Sequence, residues 1–152
     1  MKKFEFTGET KTISLLFRIA TLHRIRAVAE FGLVKVGDLG GWIEKEENLS
    51  HDGKAWVWGN AEVCGNAEVF SASHVLVIGA IGSRDDFTTF FRDKDNEITV
   101  KCGCFLGKID KFLEKVTQTH GDSKYALVYR AAVEVARLQI DLSGEAPKDA
   151  DE

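Results

Sequence analysis

Reactive side chains occur in this sequence as small separate groups. Cys102 and Cys104 are separated by one glycine, and such a segment can bind a metal or form a redox pair. A zinc site needs about four nitrogen or sulfur ligands, and the third cysteine, Cys64, lies far away in the chain. Residues two apart share one face of a strand, so we predict that both thiols pack on the interior side of a hairpin. The sequence favours neither a metal nor a cofactor.

A second polar group is Thr119-His120-Gly121-Asp122. A histidine beside a carboxylate can act as an oriented base. An aspartate just before a helix is more commonly its N-cap, a role that Ser123 could also take. The sequence contains no glycine-rich phosphate loop, serine-centred elbow or H-E-x-x-H motif. We therefore name His120 as a candidate ligand contact and name no catalytic residue.

Two arginine-bearing segments could bind an anion. Arg84 and Asp85 follow Gly82-Ser83, where backbone N–H groups could face a negative charge. Arg24 and Arg26 share one face of a predicted strand, within residues 1–35, whose seven basic and three acidic residues give +4. Residues 36–80 have seven acids and two lysines, which gives −5. The alternative to anion binding is therefore that the arginines pair with these acids, within one chain or between subunits.

Trp56 and Trp58 lie at the entrance to a repeat described next, at outward positions that flank Val57. Outward aromatic rings are covered by a flanking segment or subunit, or they form a contact surface for a partner. Both tryptophans are therefore candidate partner-binding residues.

The elements that position these groups are organised around a six-residue repeat. From Gly53 the sequence reads GKAWVW, GNAEVC, GNAEVF, SASHVL and VIGAIG, and every sixth residue is Val or Ile. A solenoid explains this period, because the aliphatic residue points inward and Gly-Asn takes the turn. A hairpin meander would alternate with period two. We predict a short left-handed, hexapeptide-type β-helix over 53–82, with its ends covered by flanking chain or another subunit.

The flanks predict a mainly β protein with a C-terminal α+β part. Residues 1–52 are expected to form a β segment packed on the solenoid, and 83–140 a β-hairpin followed by two helices, a ββαα module. The last helix, about 124–140, is so apolar that it needs burial on more than one side. This helix would form an oligomer interface or cap the solenoid. We expect a homo-oligomer, with a dimer as the simplest form, through this C-terminal helix. Residues 141–152 predict an acidic disordered tail.

The segments LHRIRA (22–27) and VKVGDLGGWIE (34–44), with the GNAEV repeats, resemble a family of small phage and prophage proteins that have GNAxV β-helix repeats. The segment from CGCF to THGD is similar to the α+β module that often closes such chains. The resemblance covers about residues 4–140 and implies a phage origin and a β-helix fold, but no reaction. The repeat alone also resembles that of hexapeptide acyltransferases, in which a histidine is the general base. His74 and His51 would be the candidates here, with an exposed structural histidine as the alternative at position 74.

Charge and composition argue against general nucleic-acid-binding proteins and membrane proteins. The last twelve residues hold five acids and one lysine, hence −4, which is the net charge of the whole chain. The remaining body is neutral, which argues against general nucleic-acid binding. The most apolar early stretch, 13–22, contains Arg18 and is too short to cross a bilayer of about 30 Å. Three cysteines, an odd number, fit reduced thiols, so we expect the cytoplasm of an infected bacterial host and no membrane.

We expect a non-catalytic, phage-encoded binding protein directed at the host. It would inhibit a bacterial antiviral defence complex or sequester a nucleotide signal, so its partner would be a host protein complex or a small anionic nucleotide. Two alternatives from other classes stay open: a reduced hexapeptide-type acyltransferase and a structural virion component.

Overall fold

The computed structural model describes residues 2–144 as two four-stranded sheets followed by two helices. This architecture confirms the prediction of a mainly β protein with a two-helix C-terminal part. The first sheet has the order β1-β2-β3-β4, with β1 Phe4–Ser14, β2 Ile19–Ala27, β3 Leu39–Ile43 and β4 Glu62–Val63. The second has the order β5-β6-β7-β8, with β5 Val75–Ile81, β6 Asp86–Arg92, β7 Ile98–Cys102 and β8 Phe105–Lys108, and the helices are α1 Ile109–His120 and α2 Lys124–Gln139.

The first three hexads of the repeat fold as the six-residue period predicts. Their small and aliphatic positions are all buried in one apolar core: Ala55, Val57, Ala61, Val63, Ala67 and Val69. The chain before the repeat stacks on this segment in parallel, with Ile43 beside Val63 and Leu49 beside Val69. The buried aliphatic residues of the repeat therefore lie beside buried aliphatic residues of the chain that precedes it.

The last two hexads do not continue this arrangement. Residues Ala72–His74 form a 3-10 turn, and Val75–Ile81 is β5, which pairs antiparallel with β6. The prediction of five successive solenoid hexads is wrong for this part, and the described residues form two open sheets rather than a β-helix. The physical reason is the run VLVIGAI, whose alternate side chains suit an ordinary strand once a partner strand is available.

Strand β6 covers the repeat and joins the two halves of the protein. The Glu62 N–H donates to Thr89 Oγ1 at 3.0 Å, and the Glu68 N–H donates to the Arg92 carbonyl at 3.0 Å. Phe91 packs in the core of the first sheet, whereas Phe90 packs with the helices in a second core. Because successive strand residues point to opposite faces, one strand belongs to both cores. The chain after residue 82 is thus one of the segments that cover the repeat.

The helices cover one face of the second sheet. Phe112 and Val116 of α1 and Tyr129 and Val133 of α2 are buried in the second core. The opposite face of α2 is exposed, with Leu127 at 61% and Leu138 at 89% of full exposure. The monomer therefore does not cover the apolar face for which the sequence predicted burial.

Residues 141–144, assigned from sequence to the tail, contact the body. Leu142 packs against the second core, and the Asn96 side-chain amide donates to the Leu142 carbonyl at 2.9 Å. The rest of the predicted acidic tail, 145–152, lies outside the described residues.

Candidate ligand-binding site

Four segments of the second half of the chain meet around a cavity of about 180 Å³. These segments are the β5–β6 turn, the β7–β8 turn, the C-terminal half of α1 and the first turns of α2. The lining residues are Ser83, Arg84, Asp86, Cys102, Gly103, Cys104, Phe105, Phe112, Lys115, Val116, Thr119, His120 and Tyr129. We call this cavity the aromatic pocket.

Aromatic rings form much of its wall. The Phe112 ring packs edge-on against Tyr129, with centroids 5.7 Å apart, and is tilted against Phe105 at 5.5 Å. His120 stacks on Tyr129 at 5.7 Å, with ring planes 29° from parallel. The helical spacing of α1 and α2 places Phe112 and Tyr129 on the faces that pack on the sheet, whereas Phe105 is the first residue of β8. A flat apolar ligand group would find aromatic contacts here.

Cys102 and Tyr129 both line the pocket. Thr88 Oγ1 donates to Cys102 Sγ at 3.4 Å. Burial, together with the neighbouring Cys102, raises the pKa of Tyr129 to about 12, so the phenol stays protonated near neutral pH. A Cβ at Gly82 would overlap the Tyr129 hydroxyl, which explains a glycine in the β5–β6 connection. The lining of the pocket thus includes a phenol that can donate a hydrogen bond.

Cationic side chains stand at the rim. Arg84 and Lys115 are both exposed and line the pocket, with Asp86 as the acidic lining residue. Within residues 2–144, neither cation lies within ion-pair distance of a carboxylate. Among the Lys, Arg, Asp and Glu residues of the lining, two cations against one carboxylate leave a charge of +1, although the whole chain has −4. The rim therefore favours an anionic ligand.

A second cavity of about 550 Å³ lies beside the aromatic pocket, between the β1–β2 hairpin and the second sheet. Its lining residues are Lys11, Ile13, Ser14, Asn60, Glu62, Arg84, Asp86, Phe87, Lys101, Gly103 and Cys104. The Glu62 carboxylate lies 2.6 Å from the ammonium groups of both Lys11 and Lys101. Burial would raise the pKa of Glu62, but hydrogen bonds from Lys101 and Lys11 outweigh it and lower that pKa. We call this space the lysine cavity.

The structure brings together two of the groups named from sequence. Arg84 and His120 both line the aromatic pocket, whereas Asp85 is exposed in the β5–β6 turn with φ +48° and lines neither cavity. Asp122 neither pairs with His120 nor caps α2, because it is fully exposed and 3.8 Å from Arg130, while Ser123 is the N-cap residue. The interpretation of His120 and Asp122 as an oriented pair is wrong.

Arg24 and Arg26 are engaged within the chain. Arg26 bonds Glu5 through Nη2 at 2.6 Å and Nε at 3.2 Å, and Arg24 Nε donates to the Gly40 carbonyl at 3.2 Å. Arg24 Nη1 also lies 3.7 Å from Glu9. Both arginines are therefore paired within the chain, as the alternative to a ligand-binding role predicted. They line neither cavity.

The two candidate tryptophans differ in their surroundings. Trp56 is 3% exposed and packs edge-on against Phe31, with centroids 5.3 Å apart. Trp58 is 52% exposed. A flanking segment thus covers the first ring and leaves the second accessible to a partner.

The histidines and cysteines also depart from expectation. His74 is 1% exposed and accepts a hydrogen bond from the Phe70 N–H at 3.3 Å, so the expectation of an exposed histidine is wrong. Cys104 is exposed because it lies in the two-residue turn Gly103-Cys104, where strand alternation no longer applies. Of Cys102 and Cys104, only Cys102 packs against the second core. Residues 2–144 contain no group of three or more His, Cys, Asp or Glu side chains placed to hold a metal ion.

Sequence reasoning missed Lys115, Tyr129 and Phe112 as pocket residues. Tyr129 and Phe112 are indistinguishable from core residues in the helical pattern. Lys115 was the one residue that the sequence could have marked as a pocket residue. It is a cation that lies directly before Val116 and one helical turn after Phe112, and both of these neighbours are buried.

No protein-family model matches this chain, and no curated protein matches it. Neither α1 nor α2, the helices of the described chain, has the length and apolarity that a bilayer crossing requires.

Proposed function

We propose that the protein is a non-catalytic binding protein whose aromatic pocket takes a small anionic ligand with a flat apolar part, of which a nucleotide is the fitting class. The supporting observation is the combination of Arg84 and Lys115, without carboxylate partners among the described residues, with the ring stack of His120 and Tyr129. A base stacks on aromatic rings, and a phosphate binds guanidinium and ammonium groups. Of the two host-directed roles expected from sequence, this arrangement favours sequestration of a nucleotide signal.

Calorimetric titration with the four ribonucleoside monophosphates tests the proposal. We expect at least one to bind, and its nucleoside without phosphate to bind about tenfold to hundredfold more weakly, because charge-assisted hydrogen bonds are lost. Arg84→Ala and Lys115→Ala should weaken nucleotide binding by a similar factor.

Lys111→Ala is the matched control, since Lys111 lies on the same helix but pairs with Glu114 and lines neither cavity. It should bind as the unsubstituted protein does. Absence of binding by all four monophosphates, or equal binding by the Arg84 and Lys111 variants, would contradict the proposal.

A host protein complex is the second candidate partner. Trp58 is half-exposed, the exposed Leu33 and Val36 precede β3, and the exposed Leu39 is its first residue. Exposed apolar side chains of this kind are typical of protein contacts. In pull-downs with one candidate complex at a time, Trp58→Ala should abolish capture while the variant stays folded. Equal capture by both proteins would contradict this candidate.

Three further expectations belong to the same proposal. The protein is of phage origin, acts in the cytoplasm of the infected host and derives from the GNAxV β-helix proteins. The parallel stacking of Ile43 on Val63 and of Leu49 on Val69 supports the last point, since adjacent coils of a solenoid stack in this way. Copurification with virions would instead favour a structural component.

The acyltransferase alternative lacks a base at the repeat. His74 is buried, and His51 Nδ1 accepts a hydrogen bond from the Lys3 N–H at 3.0 Å while its ring stacks on Phe4. A general base must come within about 3 Å of the group that it deprotonates. The geometry therefore favours binding over acyl transfer.

We also propose a homodimer formed through the C-terminal helix. Leu127, Ala131, Val135 and Leu138 form one exposed stripe along α2. Their spacing is that of one helix face, and covering such a face with a second copy removes apolar surface from water.

A further inference from the structure

The aromatic pocket and the lysine cavity adjoin each other, and we call them the two compartments. They share four lining residues: Arg84, Asp86, Gly103 and Cys104. At about 180 Å³, the aromatic pocket is smaller than the roughly 300–1,000 Å³ of most ligand sites. The lysine cavity has about 550 Å³, so most of the space for a ligand lies beyond the aromatic pocket.

Arg84 stands at the boundary between the two compartments. A Cβ built on Gly103 would lie 3.9 Å from Arg84 Nη1, so the guanidinium lies over the β7–β8 turn. Gly103 has φ +57°, as the first central residue of a two-residue hairpin turn requires. The guanidinium can therefore donate to a group in either compartment, or to a group that links them.

The lysine cavity is polar and positively charged. Lys11, Lys101 and Arg84 face Glu62 and Asp86, which leaves +1. Asn60 and Ser14 add hydrogen-bonding groups that make no side-chain hydrogen bond within residues 2–144. Such a lining suits a sugar-phosphate unit, whose hydroxyl groups and phosphate oxygens need donors and acceptors.

We propose that the ligand is a dinucleotide with two phosphate groups. One base stacks in the aromatic pocket, Arg84 binds the linking phosphate, and the second nucleotide lies in the lysine cavity near Lys11 and Asn60. This inference rests on the proposed function, since it places the first nucleotide in the same pocket. Counted over both compartments, Arg84, Lys115, Lys11 and Lys101 against Asp86 and Glu62 leave +2, which matches a dianion.

Titrations with a mononucleotide and with the dinucleotide of the same base, carrying one and two phosphates respectively, test this inference. We expect the dinucleotide to bind about tenfold to hundredfold more tightly, because it makes additional charge-assisted contacts. Lys11→Gln and Asn60→Ala should remove most of that gain and leave mononucleotide binding unchanged. Arg84→Ala should weaken both ligands.

Lys35→Gln is the control, since Lys35 pairs with Glu30 and lines neither cavity. Because Lys11 also contacts Glu62 and the Trp42 ring, the exposed Asn60 supplies a second variant that is independent of this packing. Equal affinity for the two ligands, or a dinucleotide gain that survives both cavity variants, would overturn the inference while leaving the proposed function intact. Absence of mononucleotide binding would instead contradict the proposed function.

Discussion

The imidazole ring of His120 stacks on the phenol ring of Tyr129, with centroids 5.7 Å apart and planes 29° from parallel. His120 is the last residue of α1, and Tyr129 lies in α2. The stack therefore joins the two helices beyond their connecting turn and holds His120 at the wall of the aromatic pocket. Residues that line the aromatic pocket thus also pack the two helices together.

Tyr129→Phe tests how much the buried hydroxyl contributes. The ring stack is kept, but the buried polar group whose pKa is raised by burial and by the neighbouring Cys102 is lost. We predict that the free energy of unfolding falls by about 1 kcal/mol. Urea denaturation measures the change. Tyr125→Phe, at an exposed position of the same helix, should have almost no effect, and equal effects of the two substitutions would contradict the prediction.

Asn48→Ala should destabilise the stacked segments strongly. The buried Asn48 side chain accepts from the Glu44 and Lys45 N–H groups and donates to the Gly65 and Ala67 carbonyls, at 3.0–3.2 Å. Removing it takes a hydrogen-bond partner from the buried Ala67 carbonyl and from three partly buried backbone groups, so we expect a loss of at least about 2 kcal/mol. Chemical denaturation would measure it. The exposed Asn66 offers a control, because Asn66→Ala removes no such network, and a small effect at position 48 would count against this account.

Stability should fall as the pH drops below the ordinary histidine pKa of 6.5. Burial and the charge of Arg92 lower the pKa of His74, so in this window the unfolded chain binds a proton that the folded protein does not. Stability therefore rises with pH up to about 6.5 and then levels off with respect to this group. Melting temperatures measured between about pH 5 and 7.5 should show this slope.

His74→Asn keeps a hydrogen-bond acceptor near Nδ1 but does not titrate. In this variant the melting temperature should depend less steeply on pH. The dependence that remains is expected from His51, because burial also lowers the pKa of that histidine. Identical slopes in the variant and the unsubstituted protein would show that His74 does not contribute.

Leu138→Glu should dissociate the proposed dimer. Leu138 is 89% exposed on the outer face of α2, and a carboxylate there would be buried against the second copy. We expect the dimer dissociation constant to rise by at least about tenfold, as the loss of one buried leucine implies. Sedimentation at micromolar concentration measures it. Leu33→Glu, at a similarly exposed position before β3, should stay dimeric, whereas a monomeric unsubstituted protein would refute the dimer itself.

Truncation separates the two parts of the predicted tail. A chain that ends at Gly144 should unfold like the full chain, because residues 145–152 are acidic and predicted from composition to be solvated. A chain that ends at Ile140 also loses the packing of Leu142 and its bond to Asn96, so it should be less stable by about 1–2 kcal/mol. Urea denaturation of the three chains decides it, and equal stability of the two truncated forms would disprove the role of Leu142.

Local patterns in the sequence predicted those elements that depend on residues close together in the chain. Helical spacing located α1 and α2, and a polar turn between apolar runs located the β6–β7 hairpin. The period of six correctly identified Val57, Val63 and Val69 as inward residues. These features depend on side chains close together in sequence, and their periodicity is visible without a partner.

The tertiary structure decided the rest. Val75–Ile81 could have continued the repeat, but pairing with β6 made it an antiparallel strand. Arg24 and Arg26 could have faced a ligand, but Glu5 lies directly opposite Arg26 in the β1–β2 register. Glu9 lies near Arg24 from the irregular part of β1, a register shift that alternation cannot predict. The aromatic pocket needs turns and helices that meet only when β6 packs between the two cores. The sequence by itself determined the buried small and aliphatic positions of the first three hexads, because they follow a local period. Which charges of the described residues stay without a partner, and which rings line the aromatic pocket, depends on contacts between distant segments.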